Sequence, residues 1–68
     1  MNKELELKAK ALVDKYNPIV KAKNLDNWVE LQGNIIVHSG DDCYNTFEIQ
    51  GDVDLEEFKT ITNIELNI

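Results

Sequence analysis

Residues 28–50 read WVELQGNIIVHSGDDCYNTFEIQ, and this stretch decides the fold. It contains three short runs rich in β-branched and aromatic residues, separated by turn formers, which is the pattern of a strand meander. Trp28–Gln32 and Asn34–Ser39 flank Gly33, whose tolerance of positive φ suits a tight hairpin turn. Ser39-Gly40-Asp41-Asp42 is the next turn, and Cys43–Gln50 the third strand, alternating Asn45, Phe47 and Ile49 against Tyr44, Thr46 and Glu48.

Because side chains alternate across a strand, the turn lengths assign the faces. A two-residue turn at Gly33 puts Val29, Leu31, Ile36 and His38 on one face and Trp28, Glu30, Ile35 and Val37 on the other. If the 39–42 loop has four residues, Phe47 and Ile49 join the first face and Tyr44 and Thr46 the second; a three-residue loop reverses that assignment. Both faces carry large apolar groups in either case, and one long helix covers only one of them.

Upstream, Leu5, Ala9, Leu12, Val13 and Tyr16 form one helical stripe, which predicts a helix over 3–16. Asn17-Pro18 predicts a kink or break, with Asn17 as the cap of a further short turn over 18–23. Downstream of the strands, Asp54 and Glu57 have the spacing of a capping box, and Val53 and Phe58 that of a hydrophobic staple, so a short helix is expected at 55–60. Ile64-Glu65-Leu66-Asn67-Ile68 alternates strictly and reads as a half-buried strand that could pair with either sheet edge. The expectation is therefore one α+β domain over 1–68. An N-terminal helix, broken near Asn17-Pro18, packs on a three- to four-stranded, mainly antiparallel sheet, with a short helix before the last strand.

Charge narrows the function. The 68 residues carry a net charge of −6 and no Arg. Residues 1–23 hold six Lys against Glu4, Glu6 and Asp14, a local net of +3, whereas residues 24–68 hold Lys59 against ten acids, a local net of −9. An acidic body without Arg argues against direct binding of nucleic acid, which demands a basic footprint. The six lysines of the first helix spread around its polar arc, as on a solvated face that can pair with acids elsewhere. The longest apolar run, Ile35-Ile36-Val37, is far short of a membrane span, and no signal-peptide pattern is present, so a cytoplasmic protein without membrane contact is expected. One Cys and one His are too few for a structural zinc site, and the acids from Asp52 onward fail the calcium-loop spacing, so neither metal nor cofactor is expected.

His38, Ser39, Asp41, Asp42 and Cys43 crowd one turn and include a nucleophile, a base and acids. A hairpin tip is solvated, however, and His38 and Ser39 point to opposite faces, so the expectation is no enzyme. Cys43 reads as a small, partly buried hydrophobe.

The reading favoured by these patterns is a non-enzymatic, acidic, protein-binding domain that blocks a basic, nucleic-acid-binding partner. Its size and composition suit an inhibitor or accessory factor of a phage or other mobile element. The binding residues expected are Trp28, Ile35, Val37 and Tyr44 on the spare sheet face, with the acids Asp41, Asp42, Glu48, Asp52, Glu56 and Glu57. The alternative is a homodimeric assembly protein that buries the same face against itself, and the third reading is a small enzyme at the His38–Cys43 turn.

Overall fold

The computed structural model describes residues 1–23, 26–40 and 43–68. Helix α1 spans Lys3–Lys23, strands β1, β2 and β3 span Trp28–Gln32, Ile35–Ser39 and Tyr44–Glu48, and helix α2 spans Asp52–Leu66. The strands form an antiparallel meander in the order β1-β2-β3. Asn24, Leu25, Asp41 and Asp42 lie outside the described residues.

Gly33 makes the β1–β2 turn at φ +63°, a conformation that costs a residue with a Cβ about 1–2 kcal/mol. The turn sets Gln32 opposite Ile35, and hence Val29 opposite His38 and Leu31 opposite Ile36. Ser39 pairs with Tyr44, so the second connection has four residues, and Phe47 joins Ile36 on the first face. The face assignment made for a four-residue loop is the one the register produces.

Both helices lie on that first face. Helix α1 buries Leu5, Ala9, Val13, Tyr16 and Val20, and α2 buries Leu55, Phe58, Thr62 and Leu66. They meet the sheet at Val29, Ile36, Phe47 and Ile49, which complete the core. Phe58 stands edge-on between Tyr16 and Phe47, with ring centroids 5.2 Å away on each side. The helices run in the same direction: Lys8 pairs with Asp52 near their starts, and the Tyr16 hydroxyl donates to Asn63 Oδ1 at 2.6 Å near the far end.

Three local expectations are corrected. The break at Asn17-Pro18 is absent, and α1 is continuous through Pro18. Pro18 and Asp14 are both on the solvent side, so the Asp14 carbonyl deprived of its helical donor can reach water, while Tyr16 and Val20 stay buried on either side. Asn17 is not a cap; its Oδ1 accepts the Val29 N–H at 2.8 Å. The helix is capped instead by Asn2, whose Oδ1 accepts the Leu5 N–H at 2.7 Å.

Helix α2 starts earlier and ends later than 55–60. Its N-cap is Gly51, and Asp54 sits at the third helical position, accepting the Gln50 and Gly51 N–H groups at 2.8 and 3.0 Å. The Asp54–Glu57 box and the Val53–Phe58 staple are therefore not made, and Val53 is exposed. No strand forms over residues 64–68. Leu66 extends the stripe Leu55-Phe58-Thr62 by one more turn, and Asn67, in the left-handed region at φ 59°, ends the helix.

Candidate functional site

Neither helix covers the second face of the sheet. Its side chains form a grid set by the register: Trp28, Ser39 and Tyr44 in the first row, Glu30, Val37 and Thr46 in the second, and Gln32, Ile35 and Glu48 in the third. Val37, in the centre of the grid between Glu30 and Thr46, is buried to 5% exposure. Trp28 and Tyr44 remain 44% and 72% exposed. They stand on the two outer strands, about 10 Å apart at two strand spacings, with the small Ser39 between them. The register thus sets two exposed aromatic residues on either side of a serine in one row of the face.

The electrostatics of this face are one-sided. All seven lysines lie on α1 and α2, and no strand contains Lys or Arg. Glu30 and Glu48 are exposed on the face, accepting only the side-chain amides of Gln32 and Gln50 among the described residues. The lysines serve the helix layer. Lys8 bridges to Glu4 and Asp52 at 3.7 and 3.1 Å, and its pKa is raised by the Asp52 hydrogen bond and charge. Lys10 pairs with Glu6, and Lys59 with Glu56.

The expected binding residues therefore divide. Trp28, Ile35, Val37, Tyr44 and Glu48 share the uncovered face. Glu57 adjoins it, lining a cleft with Thr46, Phe47, Glu48 and Asp54 between β3 and α2. Asp52 and Glu56 are elsewhere: they line the groove between the helices and already face this chain's own lysines. Asp41 and Asp42 lie outside the described residues.

The His38–Cys43 turn is not wholly solvated as expected. His38 points into the helix-covered side at 1% exposure, and its Nε2 is 3.7 Å from Cys43 Sγ, which also lies 3.9 Å from Asn27 Oδ1. The inward strand register places the imidazole, and Cys43 closes over it; spacing alone gives no signal for that contact. His38 Nδ1 is buried with no hydrogen-bond partner, and Ser39 faces the other side of the sheet. The imidazole thus has no nitrogen open to a substrate. Among the described residues, no group of three or more His, Cys, Asp or Glu could hold a metal ion, and no helix is long and apolar enough to cross a membrane.

Burial pushes the His38 pKa down from its ordinary value, against a smaller upward pull from Glu65. The depressed value has a defined consequence for stability. Above about pH 6.5 the imidazole is neutral in both states and contributes nothing; as pH falls below this, the unfolded chain takes up a proton that the folded chain resists. Stability should therefore drop between about pH 6.5 and the lower folded pKa, by no more than about 1.4 kcal/mol per pH unit for one proton, and then level off. Urea melts at about pH 7.5, 6.5 and 5.5 should show this slope, and His38→Leu should abolish it. Equal slopes in the two proteins would assign the pH dependence to other groups.

Comparisons with family models, curated proteins and solved structures give no match.

Proposed function

We propose that the protein is a non-enzymatic binding domain that docks its uncovered sheet face on a basic protein and occludes that partner's nucleic-acid-binding surface. The observation that carries this reading is the coincidence, on one uncovered face, of an exposed aromatic pair and carboxylates that pair with no cation among the described residues. A Lys or Arg side chain of the partner would pack its stem on the exposed Trp28 or Tyr44 ring and set its charge against the ring face. Glu30 and Glu48 supply the complementary field that speeds encounter with a basic surface.

The charge placement also bears on self-association. Two copies joined face to face would bring Glu30 and Glu48 of each against those of the other without an intervening cation, which opposes a symmetric dimer through this surface. Sedimentation equilibrium at low and high salt separates the two readings, because a self-association held back by these acids should strengthen as salt screens them.

Trp28 is the only tryptophan, so its fluorescence reports directly on the proposed surface. Titration with a panel of purified basic, nucleic-acid-binding domains should reveal partners that alter this emission and are displaced by DNA. Affinity should fall steeply from about 50 to about 300 mM salt. For such a partner, measured by calorimetry, Tyr44→Ala and Trp28→Ala should each cost about 2 kcal/mol or more, the scale of a buried aromatic anchor. Lys8→Ala, on the helix side, should change little. Full affinity in the Trp28→Ala, Tyr44→Ala double variant would remove the proposal.

A further inference from the structure

The two edges of the sheet differ, and hydrogen bonding shows how. The Ile49 N–H donates to the Asn34 carbonyl at 2.7 Å, and the Gly40 N–H to the Cys43 carbonyl at 3.0 Å. In an antiparallel ladder, hydrogen-bonded and non-hydrogen-bonded pairs alternate. These two bonds therefore make Ile36–Phe47 and His38–Asn45 the hydrogen-bonded pairs of β2 and β3. Tyr44, Thr46 and Glu48 consequently turn their N–H and C=O groups away from β2, toward the outer edge. On β1 the same phase turns Val29 and Leu31 outward, and there Asn17 Oδ1 already occupies the Val29 N–H. Helix α1 thus blunts one edge of the sheet, whereas no hydrogen bond to another described residue occupies the outward groups of β3. An unpaired edge of this kind is a template for one more strand.

The surroundings of β3 specify what that strand would carry. The cleft between β3 and α2 has a volume of about 280 Å³ and is lined by Thr46, Phe47, Glu48, Asp54 and Glu57. Asp54 is engaged with the Gln50 and Gly51 N–H groups, and Glu48 accepts the Gln50 side chain, but Glu57 has no cation partner among the described residues. We infer that the protein takes an extended basic segment of its partner as a fourth strand along β3. The backbone of that segment pairs with Tyr44, Thr46 and Glu48, and a Lys or Arg side chain enters the cleft beside Glu48 and Glu57. This deepens the proposed function and rests on it: the face supplies aromatic and apolar contact, and the edge supplies direction and register.

The test uses the full chain and two capped nine-residue peptides, one alternating Lys with Val and one alternating Glu with Val. The Lys peptide should bind and should slow hydrogen exchange at the Tyr44, Thr46 and Glu48 amides by about tenfold or more, leaving the Val29 amide unchanged; the Glu peptide should not bind. Thr46→Pro removes an outward N–H that donates to no other described residue, at an edge position where proline is tolerated. It should keep the wild-type melt and weaken the Lys peptide by about tenfold or more. Glu57→Lys, at an exposed helix position, gives an independent reading should the proline variant fail to fold: it should weaken the Lys peptide by a similar factor. Binding of the Lys peptide without protection of the three amides, or undiminished in a folded Thr46→Pro or Glu57→Lys variant, would overturn the inference. If a basic domain still perturbs Trp28 emission in that case, the face reading stands while strand addition falls. If neither probe binds, both fall.

Discussion

Phe58→Ala should leave the protein close to its unfolding midpoint at room temperature. Phe58 is fully buried on α2 and meets both the other helix and the sheet edge-on, at Tyr16 of α1 and Phe47 of β3. Truncating a buried Phe costs about 3–5 kcal/mol, from lost transfer energy and the cavity left behind. A domain of this length has roughly 3–10 kcal/mol to lose, at about 0.05–0.15 kcal/mol per residue. The substitution therefore removes a large share of the total. It also removes the side chain that packs α2 against both α1 and the sheet, leaving Leu55, Leu66 and the Tyr16–Asn63 hydrogen bond to hold α2. Circular dichroism in urea should show a midpoint near zero denaturant for Phe58→Ala. Val53→Ala, five residues earlier and exposed, should shift stability by no more than about 0.5 kcal/mol. A Phe58→Ala variant with the wild-type midpoint would place the core elsewhere.

The parts of this fold legible in the sequence are those where period and turn chemistry agree. Gly33 between two alternating runs sets the hairpin and its register, and the α1 stripe names Leu5, Ala9, Val13 and Tyr16 before their partners are known. The same alternation sets Trp28, Ile35 and Val37 together, and the four-residue connection shown by the register adds Tyr44 and Glu48. What the sequence does not reveal depends on contacts distant along the chain. Pro18 is tolerated inside α1 because the residues flanking it are held in the core. Asn17 looks like a helix cap until β1 is seen beside it, where its amide oxygen takes a strand N–H. The alternation puts His38 on the core face and Cys43 reads as partly buried, but nothing in the spacing shows that the thiol meets the imidazole. Asp52 and Glu56 look available to a partner until α1 brings Lys8 alongside one and Lys59, a turn later, reaches the other. Local electrostatic and capping signals are satisfied by several geometries, and packing selects among them.

The C-terminal turn is the point where two periods compete, and proline resolves them. Ile64, Leu66 and Ile68 alternate as in a strand, yet Leu66 also lies on the helical series Leu55, Phe58, Thr62, and the core takes the helical reading. Burial goes to Leu66 alone, while Ile64 stays 73% exposed and Ile68 is exposed too. Substitutions at Ile64 therefore give opposite results under the two arrangements. In a helix, Ile64→Pro deletes the bond to the carbonyl four residues earlier and drives its ring against it, at a cost of about 3 kcal/mol. Proline also restricts Asn63, whose Oδ1 accepts the Tyr16 hydroxyl, so the damage reaches α1. If the last turn frays instead, Leu66 loses its burial, worth about 1.5–3 kcal/mol. Ile64→Ala should be neutral or slightly stabilising, since it removes an exposed β-branched residue from a helix in favour of the best helix former. A strand starting at Ile64 would accept proline at its first residue and would suffer from alanine through lost apolar contact. Denaturant melts of the two variants should thus rank alanine well above proline, and the reverse order would restore a strand at the end of the chain.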